Sequence, residues 1–217
     1  MERAGLKFAE TVIAQFDFLT RNYGFACKRC EETFVRYESN KVFVNIYHGR
    51  NSYELGGEIG LLGSGKEAKF GIASLMELRD PEKVKDLRYR IAYNEESVQK
   101  GLSELASLLQ QYGDEALQGD LKIFEQLQQL VKQYWAEMRA SQIRPKAASV
   151  FQAKDYQKAA ELYESMYDQL TKAELKKLEY AKSKELSKNN LYTNKSKLNN
   201  LFAKIVSKVF RSIMEKK

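Results

Sequence analysis

The sequence predicts an α+β fold in which a small antiparallel β-meander is covered by helices. Between Thr33 and Leu62, apolar and polar residues alternate over three segments, as they do in strands with one buried face. Before and after this stretch, apolar residues recur at helical spacing. A sheet with one apolar face must bury that face, so the flanking helices are expected to cover it. A C-terminal helical hairpin and an amphipathic basic tail are expected to follow.

The predicted meander has turns at Asn40–Lys41 and at 49–52. Its middle strand, 42–48, alternates between an apolar face and a mixed face. The apolar face carries Val42, Val44 and Ile46. The third strand is expected to place four residues on one face, namely Tyr53, Leu55, Ile59 and Leu61.

Helix-boundary signals organise the rest of this region. A first helix is expected to end at Gly24, because glycine readily adopts the left-handed conformation found at helix C-termini. Asp80 followed by proline, and Asn94 followed by two glutamates, each predict a helix start. The apolar stripe of the helix after Asp80 is expected to reach Ile91. The apolar run 70–78 is a candidate fourth strand.

A shift in composition after Ala140 predicts an α+β domain over 1–140. A helical hairpin is expected over 141–186, with a capping box at Thr171–Glu174. Its small alanines beside aromatic residues resemble one hairpin of a tetratricopeptide-type repeat, over about 40 residues and without the further copies that a repeat array needs. Residues 187–217 are predicted to form a polar linker and a basic amphipathic helix.

Positive charge is concentrated at the end of the chain. Residues 1–140 carry a net charge of −2 and residues 141–217 carry +9, of which +7 lies in 187–217. The apolar positions of this tail follow helical spacing, and basic residues lie between them: Lys204, Lys208 and Arg211. Such a tail could dock on the body of the protein or on a second copy, lie on an anionic membrane surface, or bind nucleic acid.

Cys27 and Cys30 form a CxxC pair with basic residues between them, a pattern that occurs in redox and zinc sites. A thioredoxin-type pair follows a strand and opens a helix, whereas this pair follows a predicted helix. A structural zinc ion needs four ligands, and the chain contains no further cysteine and one histidine, His48. Two incidental cysteines are therefore expected, with redox or intermolecular metal chemistry as the alternative. The sequence predicts no metal and no cofactor.

Two other motifs resemble catalytic sites only in part. Residues 60–66 match the first half of a phosphate-binding loop, but Glu67 stands where the motif needs a hydroxyl for magnesium. His48 is expected in a surface turn, where Glu54 is the one carboxylate that could approach it. Neither motif has the partners that catalysis needs, so the sequence predicts a protein that is not an enzyme and has no small-molecule substrate.

The mixed face of the meander is the predicted site of partner binding. Tyrosine and arginine often anchor protein interfaces, and mixed charge fixes the register of a partner. Besides Glu38, Phe43 and Asn45, this face and its rim carry the predicted partner-binding residues Arg36, Tyr47, Arg50, Tyr53, Glu54 and Glu58.

The first ten residues are interrupted by charge, and no apolar run approaches the roughly 20 residues of a membrane span. The sequence therefore predicts a cytoplasmic protein.

Several runs of the chain resemble a group of small uncharacterised bacterial α/β proteins, some of which are similar to immunity proteins of polymorphic toxin systems. The runs are Tyr23–Phe25, Val35–Ser39, Val42–Tyr47, Ser52–Leu55 and Leu117–Asp120. The resemblance covers about residues 8–140 and implies an α/β domain that binds and blocks a partner protein.

Overall fold

The computed structural model describes residues 3–63, 68–87 and 90–186. The chain divides into two compact units, Met1–Lys132 and Gln133–Lys217. The fold is α+β, as the sequence predicts. The predicted linker and basic tail, with Lys204, Lys208 and Arg211, lie outside the described residues.

The first unit contains an antiparallel sheet with six strands in its described part. The strands are β1 (Ala26–Glu31), β2 (Phe34–Glu38), β3 (Val42–His48), β4 (Glu54–Leu61), β5 (Phe70–Gly71) and β6 (Arg90–Ile91). They follow the order β1-β2-β3-β4-β5, and β6 also pairs with β4. The predicted meander is confirmed as β2, β3 and β4.

The helices of this unit come before and after the meander along the chain. They are α1 (Phe8–Gln15), α2 (Asp17–Tyr23), α3 (Ile72–Arg79), α4 (Pro81–Val84), α5 (Glu95–Tyr112), α6 (Asp114–Leu117) and the first part of α7 (Leu121–Gln152). The first predicted helix is divided at Phe16, where the backbone leaves helical geometry with φ −103° and ψ 15°. Gly24 ends α2 with φ 68°, as expected. Asn94 caps α5 in a reciprocal box with Ser97.

Two sequence predictions in the middle of the chain are wrong. The run 70–78 forms only the two residues of β5 before α3 begins, because Ile72, Leu75 and Met76 are buried at helical spacing. The helix that begins after Asp80 is a single turn, and Ile91 lies half-exposed in β6 instead of on a helical stripe.

One face of the sheet forms the core of the first unit with the helices. Val35 of β2, Val44 of β3 and Ile59 of β4 belong to the same buried cluster as Val12 of α1 and Leu102 of α5. Burial of such side chains contributes about 1.5–3 kcal/mol each. The core therefore fixes which side chains of the meander point away from the helices.

The second unit contains the remainder of α7, α8 (Tyr156–Glu164) and a helix α9 over 172–186. Small residues let these helices pack closely around Tyr163 and Leu178. They are Ala140, Ala147, Ala159, Ala160 and Ala181. The composition shift predicts a boundary after Ala140, but α7 continues through this position and through Pro145.

Candidate functional site

The face of the meander opposite the core carries a three-by-three array of residues, which we call the outer face. Its rows are set by the strand register, in which Phe43, Asn45 and Tyr47 of β3 each have one partner on β2 and one on β4. From one end to the other the rows are Glu38, Phe43, Gly60; Arg36, Asn45, Glu58; and Phe34, Tyr47, Gly56. The sequence alternation places all nine on the same side.

A continuous chain of polar contacts crosses the outer face. Arg36 donates from Nε to Glu38 Oε1 at 2.5 Å and from Nη1 to Asn45 Oδ1 at 3.4 Å. Asn45 in turn donates from Nδ2 to Glu58 Oε2 at 3.3 Å. Glu58 also pairs with Lys69 Nζ at 3.7 Å. Charged groups of alternating sign are therefore linked from β2 through the neutral Asn45 on β3 to Glu58 on β4, and from there to Lys69.

Two aromatic rings of the outer face lie over glycines of the neighbouring strand. A methyl group built on Gly56 would overlap the ring of Tyr47, and one built on Gly60 would overlap the ring of Phe43. The Phe43 ring is fully buried although it lies outside the core cluster. The guanidinium of Arg36 lies 4.2 Å from the centre of this ring, and the backbone of Ala68 lies near the same position. Glycine opposite an aromatic residue thus keeps the rings flat on the sheet.

An arginine of edge strand β1, Arg29, also stacks on an aromatic ring. The guanidinium carbon of Arg29 lies 4.9 Å from the centre of the Phe34 ring. Arg29 Nε also donates to Glu31 Oε1 at 2.6 Å, and this hydrogen bond lowers the pKa of Glu31. Stacked arginines therefore cover aromatic residues at two points of the surface.

A cleft of about 300 Å³ opens beside the outer face, along β4. Strand β6 pairs with Glu54–Leu55 and β5 pairs with Glu58–Ile59, so neither described strand pairs with Gly56–Gly57 between them. Tyr47 and Glu54 line the cleft together with Arg90. Its apolar lining includes Leu55, Ile72, Val84, Leu87 and Leu105.

The predicted partner-binding residues do not all lie together. Arg36, Tyr47 and Glu58 lie on the outer face, and Glu54 continues it along β4 into the cleft. Arg50 is exposed in the turn before β4. Tyr53 lies outside β4, with φ 54°, and contacts Tyr93 and His48. Tyr53 therefore does not belong to the outer face.

His48 is buried, and the surface turn predicted for it is wrong. Its side chain shares the core face with Ile46, where its Nε2 donates to the carbonyl of Ala92 at 2.9 Å. The His48 ring stacks on the Phe8 ring, with 6.0 Å between the ring centres. It also contacts the Tyr53 ring edge-on, with 5.8 Å between the ring centres. These contacts give His48 a packing role that joins the end of β3 to neighbouring elements.

Both cysteines are free thiols on the exposed strand β1. Partial desolvation of the Cys27 thiol raises its pKa, and the Cys30 thiol raises it further. This shift favours the protonated thiol, unlike the depressed pKa of a redox-active cysteine. Within the described residues, no three or more side chains of His, Cys, Asp or Glu cluster as a metal site would require.

The glycine-rich motif lies only partly within the described residues. The glycine-rich stretch 60–66 begins inside β4, and residues 64–67 lie outside the described ranges. Among the helices described, none has the length and apolar character needed to cross a membrane.

Sequence reasoning missed several residues that shape this surface. The pairing of Gly56 with Tyr47 and of Gly60 with Phe43 could have been found from the register of the two strands. No local sequence pattern predicts the role of Lys69. Its contact with Glu58 depends on the path of the chain between β4 and β5.

Comparison with protein-family models, with curated proteins and with solved structures found no match to this chain. The likeness to immunity proteins therefore stays a prediction that rests on the residue runs given above.

Proposed function

We propose that this chain is a non-enzymatic protein-binding module of the bacterial cytoplasm, immunity-like or adaptor-like. It binds a partner protein through the outer face and its rim. The polar chain from Glu38 through Arg36, Asn45 and Glu58 to Lys69 is the observation that carries this proposal. Arg36 and Tyr47 lie next to the buried Asn45 at the centre of the array, and arginine and tyrosine are typical anchors of protein interfaces.

Pre-ordering of these side chains favours binding. Arg36 and Glu58 each have a hydrogen-bonding partner on the sheet, and both retain part of their side-chain surface exposed. A side chain that is already ordered loses less conformational entropy when a partner docks. The outer face is therefore suited to recognition without large rearrangement.

The alternating charges also indicate the kind of partner. A protein that docks here needs a surface with the opposite pattern of charges, so that each carboxylate meets a cation and each guanidinium meets an anion. A partner with a single sign of charge would meet repulsion at half of these positions. We therefore expect a partner of mixed charge and moderately salt-sensitive binding.

The test is capture of partners from native-host lysate, followed by affinity measurement with the purified partner. The double variant Tyr47→Ala, Arg50→Ala removes one aromatic and one cationic group from the outer face and its rim. We expect this variant to bind at least about tenfold more weakly, which corresponds to about 1.4 kcal/mol. A chain that ends at Leu186 should bind as the full chain does.

The matched control is Arg21→Ala, Tyr134→Ala, which removes the same groups from exposed positions on helices. This control should retain the partner at full affinity. Equal affinity of the outer-face variant and the control would refute the proposed site.

The alternative is an adaptor directed by its tail to a membrane surface or to nucleic acid. The net charge of +7 in residues 187–217 favours it, with Lys204, Lys208 and Arg211 as the contact residues. Anionic lipid or nucleic acid retained only by the full chain, and released by salt, would support this alternative. The same tail could instead mediate self-association through its apolar stripe.

A further inference from the structure

A β-bulge in β1 changes the geometry of the two cysteines. In a regular strand, residues three apart point to opposite faces. Here Cys27 pairs with Tyr37 and Cys30 pairs with Val35, and the register shifts between Cys27 and Arg29. Tyr37 and Val35 lie on the same face of β2, so the bulge brings both thiols to one face of the sheet edge.

The Cys27 thiol makes a local hydrogen bond. It donates to the carbonyl oxygen of Arg29 at 3.5 Å, and Arg29 lies between the two cysteines in sequence. Two thiolates that bind one tetrahedral zinc ion with bonds of about 2.3 Å have their sulfurs roughly 3.8 Å apart. Two thiols on the same face of a strand edge can reach this spacing by rotation about their side-chain bonds.

The pair is also accessible, as a metal shared between molecules requires. Both cysteines are exposed, and so is every residue of β1. In the described part of the chain, β1 has a strand partner only in β2, which leaves its other edge open. A second molecule can approach the thiols from this edge.

We propose that Cys27 and Cys30 chelate one Zn²⁺ ion and that the same two residues of a second copy complete a four-thiolate site. A structural zinc ion takes four ligands, and soft thiolates select zinc over magnesium or calcium. Cys27 and Cys30 are two such ligands, and no cluster of three or more was found among the described residues, so this pair fills half of the coordination shell. A two-fold axis through the ion relates the two halves.

The charge of the surroundings fits such a site. Zinc with four thiolates carries two negative charges, and each copy has a lysine, Lys28, between the two ligands in sequence. The lysines of the two copies offset this charge. Arg29 is engaged by Glu31 and stacks on Phe34, so it does not add uncompensated positive charge.

Cobalt is the probe for this site, because Co²⁺ replaces zinc in tetrahedral thiolate sites and absorbs visible light. The full chain is reduced with a phosphine, stripped of metal and titrated with Co²⁺. We expect thiolate-to-cobalt charge-transfer bands that saturate at one ion per two chains, together with a dimer in light scattering. Added Zn²⁺ should bleach the bands while the dimer remains.

Cys27→Ser and Cys30→Ser should each abolish the bands and the metal-dependent dimer, with unchanged far-ultraviolet circular dichroism because both side chains are exposed. Glu32→Gln removes a nearby exposed carboxylate and should retain both signals. Absence of the bands, saturation at one ion per monomer, or bands that survive both serine variants would each overturn the proposed site.

Discussion

At the scale of single residues, the two glycines of the outer face are expected to differ in their tolerance of a side chain. A methyl group at Gly60 would overlap the backbone carbonyl of Ala68 as well as Phe43, and backbone yields little. At Gly56 the overlap is with the far end of Tyr47, which can rotate away. We expect Gly60→Ala to lower the free energy of unfolding by about 1–3 kcal/mol and Gly56→Ala to lower it less.

Urea unfolding of the two variants measures this difference. Gly5→Ala is the control, because open space surrounds that position. In a Tyr47→Ala background, Gly56→Ala should lose its effect, since the ring that it would displace is gone. An equal cost of Gly56→Ala with and without Tyr47 would contradict the proposed ring-on-glycine contact.

At the scale of elements, the start of α9 should make the second unit sensitive to acid. Burial would raise the pKa of Glu174, but hydrogen bonds from the backbone and hydroxyl of Thr171, together with Arg144, outweigh it and lower the pKa. A lowered pKa in the folded state gives stability that is present above the ordinary value of 4.5 and is lost as the pH falls through the folded value.

Glu174→Gln should therefore reduce the free energy of unfolding at neutral pH by about 1–3 kcal/mol and flatten the loss of stability below about pH 5. Urea unfolding at several pH values, followed by helical circular dichroism, measures both effects. Glu179→Gln, an exposed change on the same helix, should leave the acid dependence intact. If the free energy of unfolding of Glu174→Gln fell with pH as it does in the wild type, the contacts of Glu174 would not be the cause of the acid sensitivity.

Local sequence patterns predict the start of a helix well when both residues of the capping contact lie within a few positions of each other. The Asn94 and Thr171 caps join residues three apart, so a short pattern specifies them. Strand β1 was not predicted, because all of its residues are exposed and its bulge breaks the alternation that marks a strand. Because of the same bulge, the alternation does not reveal that Cys27 and Cys30 lie on one face of the strand.

The candidate site was predictable to the extent that it depends on alternation. Alternation alone placed Arg36, Tyr47 and Glu58 on one face. Tyr53 was predicted at the rim of this face, but it lies outside β4 with φ 54° and contacts Tyr93 and His48 instead. The contact with Lys69 and the cleft beside β4 depend on strand order, which a single strand's pattern does not contain.

At the scale of the whole molecule, the first unit is expected to fold without the second. Its core cluster is formed by residues up to Leu127, with Val131 packed against it, so a chain ending at Lys132 retains every member. We expect this fragment to unfold in one cooperative transition, because its hydrophobic core is complete. Calorimetry and dispersed amide signals in nuclear magnetic resonance spectra test this expectation, and a molten fragment would contradict it.

The folded fragment also distinguishes binding through the outer face from binding through residues 133–217. The outer face and its cleft lie entirely within the fragment, so the fragment should bind the captured partner with the affinity of the full chain if this face is sufficient. The double variant Tyr47→Ala, Arg50→Ala should lower the affinity for the partner by the same factor in the fragment and in the full chain, because both contain the same contacts. A cooperatively folded fragment that fails to bind would place the decisive contacts in residues 133–217 and favour the tail-directed alternative.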